Sequence, residues 1–178
     1  APCLRVVEPD VHPLSLGRAS TLLPVPELVF RIDDLSGALT RDLVAHHLTG
    51  MHASSPAESV FALDIDGLKH PDVTFWSGWL GADLVVIGAL KTLDESNGEL
   101  KSMRVADSHL GTGAGRAMLR HLVAEARTRG LRTLWLETGS PDNFLPARCL
   151  YESEGFTECG PFADYPENPF SVFMALSL

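Results

Sequence analysis

The chain has 178 residues, enough for one domain with a substantial core, and 45% of them are hydrophobic. Its formal net charge is −9, and no basic stripe runs its length, so nucleic acid is not the expected partner. No apolar run approaches the roughly 20 residues that cross a bilayer, so no membrane partner is expected either.

Residues 1–27 carry five prolines without a period and read as an irregular arm; residues 28–178 read as a single domain. The stretch 28–33 reads as a first strand. Ser36 reads as the cap of a helix over 37–48, with Leu39, Leu43, Val44 and Leu48 on one face. His46, His47 and His52 follow without an acidic ligand at helical spacing, so they read as solvated or hydrogen-bonded histidines and not as a metal site. Residues 52–72 read as a loop with one helical turn, in which Ser54, Ser55 and Phe61 could line a pocket.

Three consecutive antiparallel strands are predicted at 73–80, 84–93 and 98–106, joined by turns at Gly81-Ala82-Asp83 and at DESNG, with a bulge at Gly88. They lead into the element that organises the chain: a glycine turn, then a helix with Met118, Leu119, Leu122, Val123 and Ala126 on one face and Gly130 as its stop. Gly111, Gly113 and Gly115 stand where strand gives way to helix. Such a turn leaves backbone N–H groups free at the positive end of the helix dipole, which suits a phosphate. From Lys101 to Arg132 the chain has seven Lys or Arg against two acids, inside an otherwise acidic remainder. Lys101, Arg104 and Arg116 are the cations nearest the turn. After it come a buried strand at 131–137, a cap candidate at Asp142, a helix at 144–154, a strand candidate FTECGPF and a last strand at 170–178.

Three readings compete for the anion. A dinucleotide fold wants G-x-G-x-x-G directly after a parallel strand, yet here Arg116 takes the last glycine place and a hairpin meander precedes. A P-loop needs Gly-Lys-Ser/Thr, which is missing. The third is a resemblance: MRVADSHLGTGAGRAMLRHLVAEARTRG, then LWLETGS, then LYESEGF, resembles the GNAT superfamily of N-acetyltransferases over 73–178. It is similar in particular to a bacterial subgroup whose substrates are generally unassigned.

The resemblance implies an α/β (α+β) fold with a mixed, mostly antiparallel, splayed sheet flanked by helices. It implies that acetyl-CoA is a cosubstrate, its pyrophosphate held at Leu110, Gly111, Thr112, Gly113, Ala114, Gly115 and Arg116. The backbone of Met103 and Val105 would pair with the pantetheine arm, with Arg104 between them. Leu110 departs from the family's usual Arg or Gln. Tyr151 matches the tyrosine the family places near the sulfur as general acid. Glu99, alternating along its strand with Lys101 and Met103, lies where the family often places a base, and Glu137 is the reserve. Arg148, Phe144, Asp164 and Tyr165 could shape the acceptor pocket.

The function implied is transfer of an acetyl group to an amine of a small molecule or peptide, by direct attack in a ternary complex. The alternative is a catalytically silent acyl-CoA-binding or regulatory module on the same fold. Cys3, Cys149 and Cys159 show no CxxC spacing and read as reduced thiols of a cytoplasmic protein, with homodimerisation left open.

Overall fold

The computed structural model of the chain describes residues 27–54, 56 and 60–178; the expected N-terminal arm lies outside them except for Glu27, and so does Ser55. Seven strands form one sheet: β1 (Leu28–Ile32), β2 (Val73–Leu80), β3 (Asp83–Thr92), β4 (Asn97–Val105), β5 (Thr133–Gly139), β6 (Thr157–Cys159) and β7 (Ser171–Ser177). Their order is β1-β2-β3-β4-β5-β7-β6. Every pair is antiparallel except β4 and β5, which run parallel. The mixed, mostly antiparallel sheet expected from the sequence is therefore the one observed.

Helices α1 (Ala38–Ser54) and α2 (Ile65–Leu68) cover one face; α3 (Ala114–Thr128) and α4 (Leu145–Ser153) cover the other. Strand alternation feeds both layers. Ile87 and Ala89 join Leu43, Val44 and Leu68 under α1, while Val86 and Leu90 meet Met118, Leu119 and Leu122 of α3. Those three α3 side chains are fully buried, and each contributes about 2 kcal/mol of apolar burial.

Helix α1 runs to Ser54, beyond the expected Leu48, and carries Gly50 within its last turns. Its entry is built by aspartates and not by a Ser36 cap. Asp33 accepts bonds from the Leu35 amide and the Thr40 hydroxyl, both at 2.8 Å, and Asp34 accepts the Ser36 amide at 2.9 Å. Asp142 is likewise no cap for α4: it opens a short 3-10 turn, and its side chain makes no capping bond. Cys149 is disulfide-bonded, against the expectation of a reduced thiol, whereas Cys159 is free and exposed.

The bulge foreseen at Gly88 has a consequence for β4. Ile87 pairs with Arg104 and Ala89 with Lys101, so Ser102 and Met103 together oppose Gly88. Ser102 takes φ +52°, and the file of side chains shifts by one. Glu99 and Lys101 face one side; Met103 packs at Gly88 beneath α3, and Val105 packs at Gly115. The sequence reading that ran Glu99, Lys101 and Met103 in one alternating series is corrected by this bulge.

Candidate active site

The glycine turn is an open cup of backbone amides. Gly111 and Gly113 adopt φ +75° and +88°, a region that suits glycine, and a Cβ on either would meet nothing within 4 Å. Gly113 is the N-cap of α3, and Ala117 is the first residue to return a bond to it, N–H to O at 3.0 Å. The amides of Gly111, Gly113, Ala114, Gly115 and Arg116 have no acceptor among the described residues. Thr112 turns its hydroxyl back to the His109 carbonyl at 2.7 Å, which fixes the turn. Leu110 is 62% exposed beside it.

None of the three nearby cations points freely at this cup. The Arg116 guanidinium pairs with Glu154 at 3.0 Å and donates to Ser153. Arg104 pairs with Asp107 at 2.7 Å and meets His46 at 2.9 Å. Lys101 is buried in the middle of β4, paired with Glu99. The positive potential at the cup thus comes from amides and the helix dipole.

From the cup, a gap leads back along β4. The parallel pairing of β4 and β5 covers four residues and ends at Leu100↔Leu136. Beyond that point β4 stays on β3 as far as Val105, and β5 stays on β7 as far as Gly139. The edges that face each other across the gap carry no ladder bonds. Tyr151 of α4 is buried, with its phenol oxygen 4.0 Å from the Met103 sulfur. Burial, and then the Glu137 carboxylate, push its pKa up to about 12, so it remains a protonated donor at neutral pH.

The opposite face of the gap holds a second cluster. Glu99 is 1% exposed, pairs with Lys101 at 3.2 Å, and accepts the Tyr165 hydroxyl at 2.5 Å. Lys101 also donates to the Tyr165 oxygen at 2.7 Å and to the Phe61 carbonyl at 2.9 Å. Rings of Phe61, Phe162 and Phe173 surround Tyr165. Burial, followed by Glu99, raises the Tyr165 pKa well above the ordinary phenol value.

Glu137 lies one residue past the end of the β4–β5 pairing and accepts the Ser171 hydroxyl at 2.6 Å. Burial holds its carboxyl above the usual range, against the opposing pull of Ser171 and Lys101. His47 sits on the inner face of α1. Burial, then Arg104, Lys101 and His46, depress it to about 4, so its imidazole is neutral.

The remaining pocket candidates divide. Arg148 is spent on the carbonyls of Gly139 and Ser140 at 2.8 and 2.7 Å, shaping the loop after β5. Phe144 packs against Gly139, Asp164 is exposed, and Ser54 accepts from Asn143 at 2.9 Å. No group of His, Cys, Asp or Glu among the described residues could hold a metal. Lys101 was read from the sequence as an anion contact and His47 as an ordinary histidine. Their places beside Tyr165 and Arg104 depend on chain separations that no local spacing reveals.

The chain belongs to the acetyltransferase (GNAT) family, whose family profile matches residues 40–156. It is 51% identical over 148 residues to an uncharacterised N-acetyltransferase, YsnE of Bacillus subtilis, covering 83% of this chain and 98% of that one. Among solved structures, a candidate acyl-CoA N-acyltransferase from Klebsiella pneumoniae superposes with TM-score 0.69 at 26% identity, covering 85% of this chain and 97% of its own. A GNAT acetyltransferase from Elizabethkingia anophelis, solved with acetyl-CoA bound, shares the fold at TM-score 0.61 and 14% identity, over 85% of this chain and 98% of that one.

Proposed function

We propose that residues 28–178 form one acetyltransferase domain that moves the acetyl group of acetyl-CoA to an amine of a small molecule or peptide. The observation that carries the reading is the sequence of features from the free amides of Gly111 and Gly113–Arg116, to the β4 edge at Met103–Val105 that has no β5 partner, to Tyr151 beside Met103 with Glu137 near it. A diphosphate fits the cup because the amides lack acceptors and the two glycines leave the space open. An extended thioester arm fits an edge whose main-chain groups have no strand opposite. That a relative of this fold is known with acetyl-CoA bound supports the same cosubstrate.

In this reading the amine nitrogen attacks the thioester carbonyl carbon, and the carbonyl pair moves onto oxygen. When the C–S bond breaks, its electron pair leaves with sulfur, and Tyr151 supplies the proton that makes the thiol. Glu137 takes the proton lost by the amine. It is favoured over Glu99 because burial raises its proton affinity and it stands at the opening of the gap. Glu99 instead neutralises Lys101, with Tyr165 bonded to both.

The test is thiol release from acetyl-CoA with a panel of amines. Tyr151→Phe should lower kcat by about 10²-fold or more while leaving acetyl-CoA binding intact. Binding by the native protein without turnover across the panel would favour the silent acyl-CoA-binding module.

A further inference from the structure

The side of β4 that looks toward α1 carries polar groups that neither the fold nor acetyl transfer has used. The register gives their direction. Ile87 pairs with Arg104 and Ala89 with Lys101, and directly paired residues share a side of the sheet. Ile87 and Ala89 belong to the core under α1, so Arg104 and Lys101 face that helix as well. One terminal nitrogen of Arg104 donates to Asp107 at 2.7 Å and meets His46 at 2.9 Å. The Arg104 Nε–H is buried and has no acceptor among the described residues. A donor on a charged group, left unpaired away from water, opposes folding and asks for an explanation.

His47 stands beside it. Thr40, Leu43 and Val44 are buried along α1, and His47 continues that inner stripe at three- and four-residue spacing. Burial first, then Arg104, Lys101 and His46, keep its imidazole neutral. The ring is half-buried, and its nitrogens make no hydrogen bond among the described residues. The charges here do not cancel. Glu99 balances Lys101 in the interior, whereas Asp107, which pairs with Arg104, is 61% exposed and screened by water. Arg104 also adjoins the point where transfer would occur: the β4–β5 ladder has ended at Leu100, and the next residue back, Met103, meets the Tyr151 phenol. One strand residue is a rise of about 3.4 Å, so a group held at Arg104 is only a few bonds from an amine in the gap.

Resting on the acetyl-transfer reading, we propose that Arg104 and His47 bind a carboxylate of the acceptor, which makes the acceptor an amino acid and not a bare amine. Arg104 has donors only, and a neutral imidazole offers one N–H, so a carboxylate can accept from both. An ammonium group placed there would meet the uncancelled charge of Arg104. No bond is made or broken at this site. It fixes one end of the acceptor on the α1 side of the gap and leaves the amine end to reach the thioester.

The first test compares the standard α-amino acids with their primary amides in thiol release from acetyl-CoA. The acids should show kcat/KM at least about tenfold higher, because hydrogen bonds to a charged acceptor are the stronger kind. Arg104→Met keeps the aliphatic stem and should bring the acid-to-amide ratio close to one, and His47→Gln should lower it severalfold. The ratio isolates the carboxylate, since any change in cosubstrate binding acts on both members of a pair. Equal rates for acids and amides, or a ratio untouched in both variants, overturns the proposal. A second readout needs neither turnover nor the Arg104 variant. Nitrogen-15 NMR of the native chain follows the His47 ring, identified by its loss in His47→Gln. Arg104 and Lys101 from β4 and His46 from α1, itself paired with Asp107, face that ring and hold its pKa at about 4. A bound carboxylate opposes the two cations, so amino acids added with coenzyme A should raise the His47 pKa and the amides should not. No rise with any acid refutes the site. An equal rise with coenzyme A alone assigns the anion to the cosubstrate and refutes it too. A rise with acids but no thiol release sinks the transfer reading and leaves the carboxylate site standing.

Discussion

Glu99→Gln tests the division of labour between the two carboxylates. Glu99 and Lys101 side chains are 2% and 7% exposed, so the substitution strands an ammonium group in the interior with its charge unbalanced. Breaking one partner of such a pair costs about 3–5 kcal/mol. Lys101 keeps the Phe61 carbonyl and the Tyr165 oxygen, which places the cost at about 3 kcal/mol. For a chain of this size that lowers the unfolding midpoint by roughly 6–12 °C. Removing both charges in Glu99→Gln/Lys101→Met should restore much of the loss, so the two changes are strongly non-additive. Circular dichroism melts of the native chain, Glu99→Gln, Lys101→Met and the double variant give the cycle. Thiol release well below each midpoint should then show only a modest change in kcat for Glu99→Gln. An unchanged midpoint with kcat reduced 10²–10⁴-fold would refute the argument and make Glu99 the base.

Glu137→Gln should lose transfer by a similar factor. Because burial raises the native pKa of Glu137, its favourable contribution is complete at low pH and is lost as pH rises through that pKa. The Gln variant should thus match the native midpoint at pH 4 and exceed it at pH 8, and a variant less stable at pH 8 would contradict the burial argument. His47 has the opposite sign. With its pKa lowered from 6.5 to about 4, its contribution is present above pH 6.5 and is lost as pH falls through 4, at a total of about 3 kcal/mol. Urea melts of His47→Gln at pH 7 and pH 4 should show a smaller difference than in the native chain; an equal difference would place the acid sensitivity elsewhere. Gly113→Val should strain the backbone by about 1–2 kcal/mol and put its side chain in the cup, so calorimetric titration with coenzyme A should show affinity at least about tenfold weaker. Gly130→Val is the control, since Gly130 has φ +77° with open space at its Cβ but lies at the far end of α3. Equal weakening in both would mean that strain alone is responsible.

The elements legible in the sequence were those that local chemistry dictates. The β2–β4 meander follows from alternation and from turn residues such as Gly81, and the cup follows from glycines that tolerate positive φ. The bulge at Gly88 was visible too, but its effect on β4 was not, because which partner residues share one opposing glycine is settled by pairing register. The Glu99–Tyr165 bond joins residues 66 apart, and the Lys101–Phe61 bond spans 40, so their meeting depends on how two loops fold over the sheet. Ser36 and Asp142 carry the right side chains for caps, and neighbouring groups took those roles: Asp33 satisfied the α1 entry, and a 3-10 turn preceded α4. The buried Ser102 carries no sequence signal at all, being a serine in a strand like any other.

The short parallel contact between β4 and β5 has an evolutionary corollary. With only four residue pairs joining them, the sheet is two blades riveted at one end, and under the proposed reading whatever bridges the open end is held chiefly by peptide groups that every amino acid possesses. Side chains along both blades can drift without loosening that grip. Descendants of such a scaffold are free to exchange the wall that meets the second reactant while keeping the first, which accords with matching architectures whose sequences agree at 14% to 26% of positions.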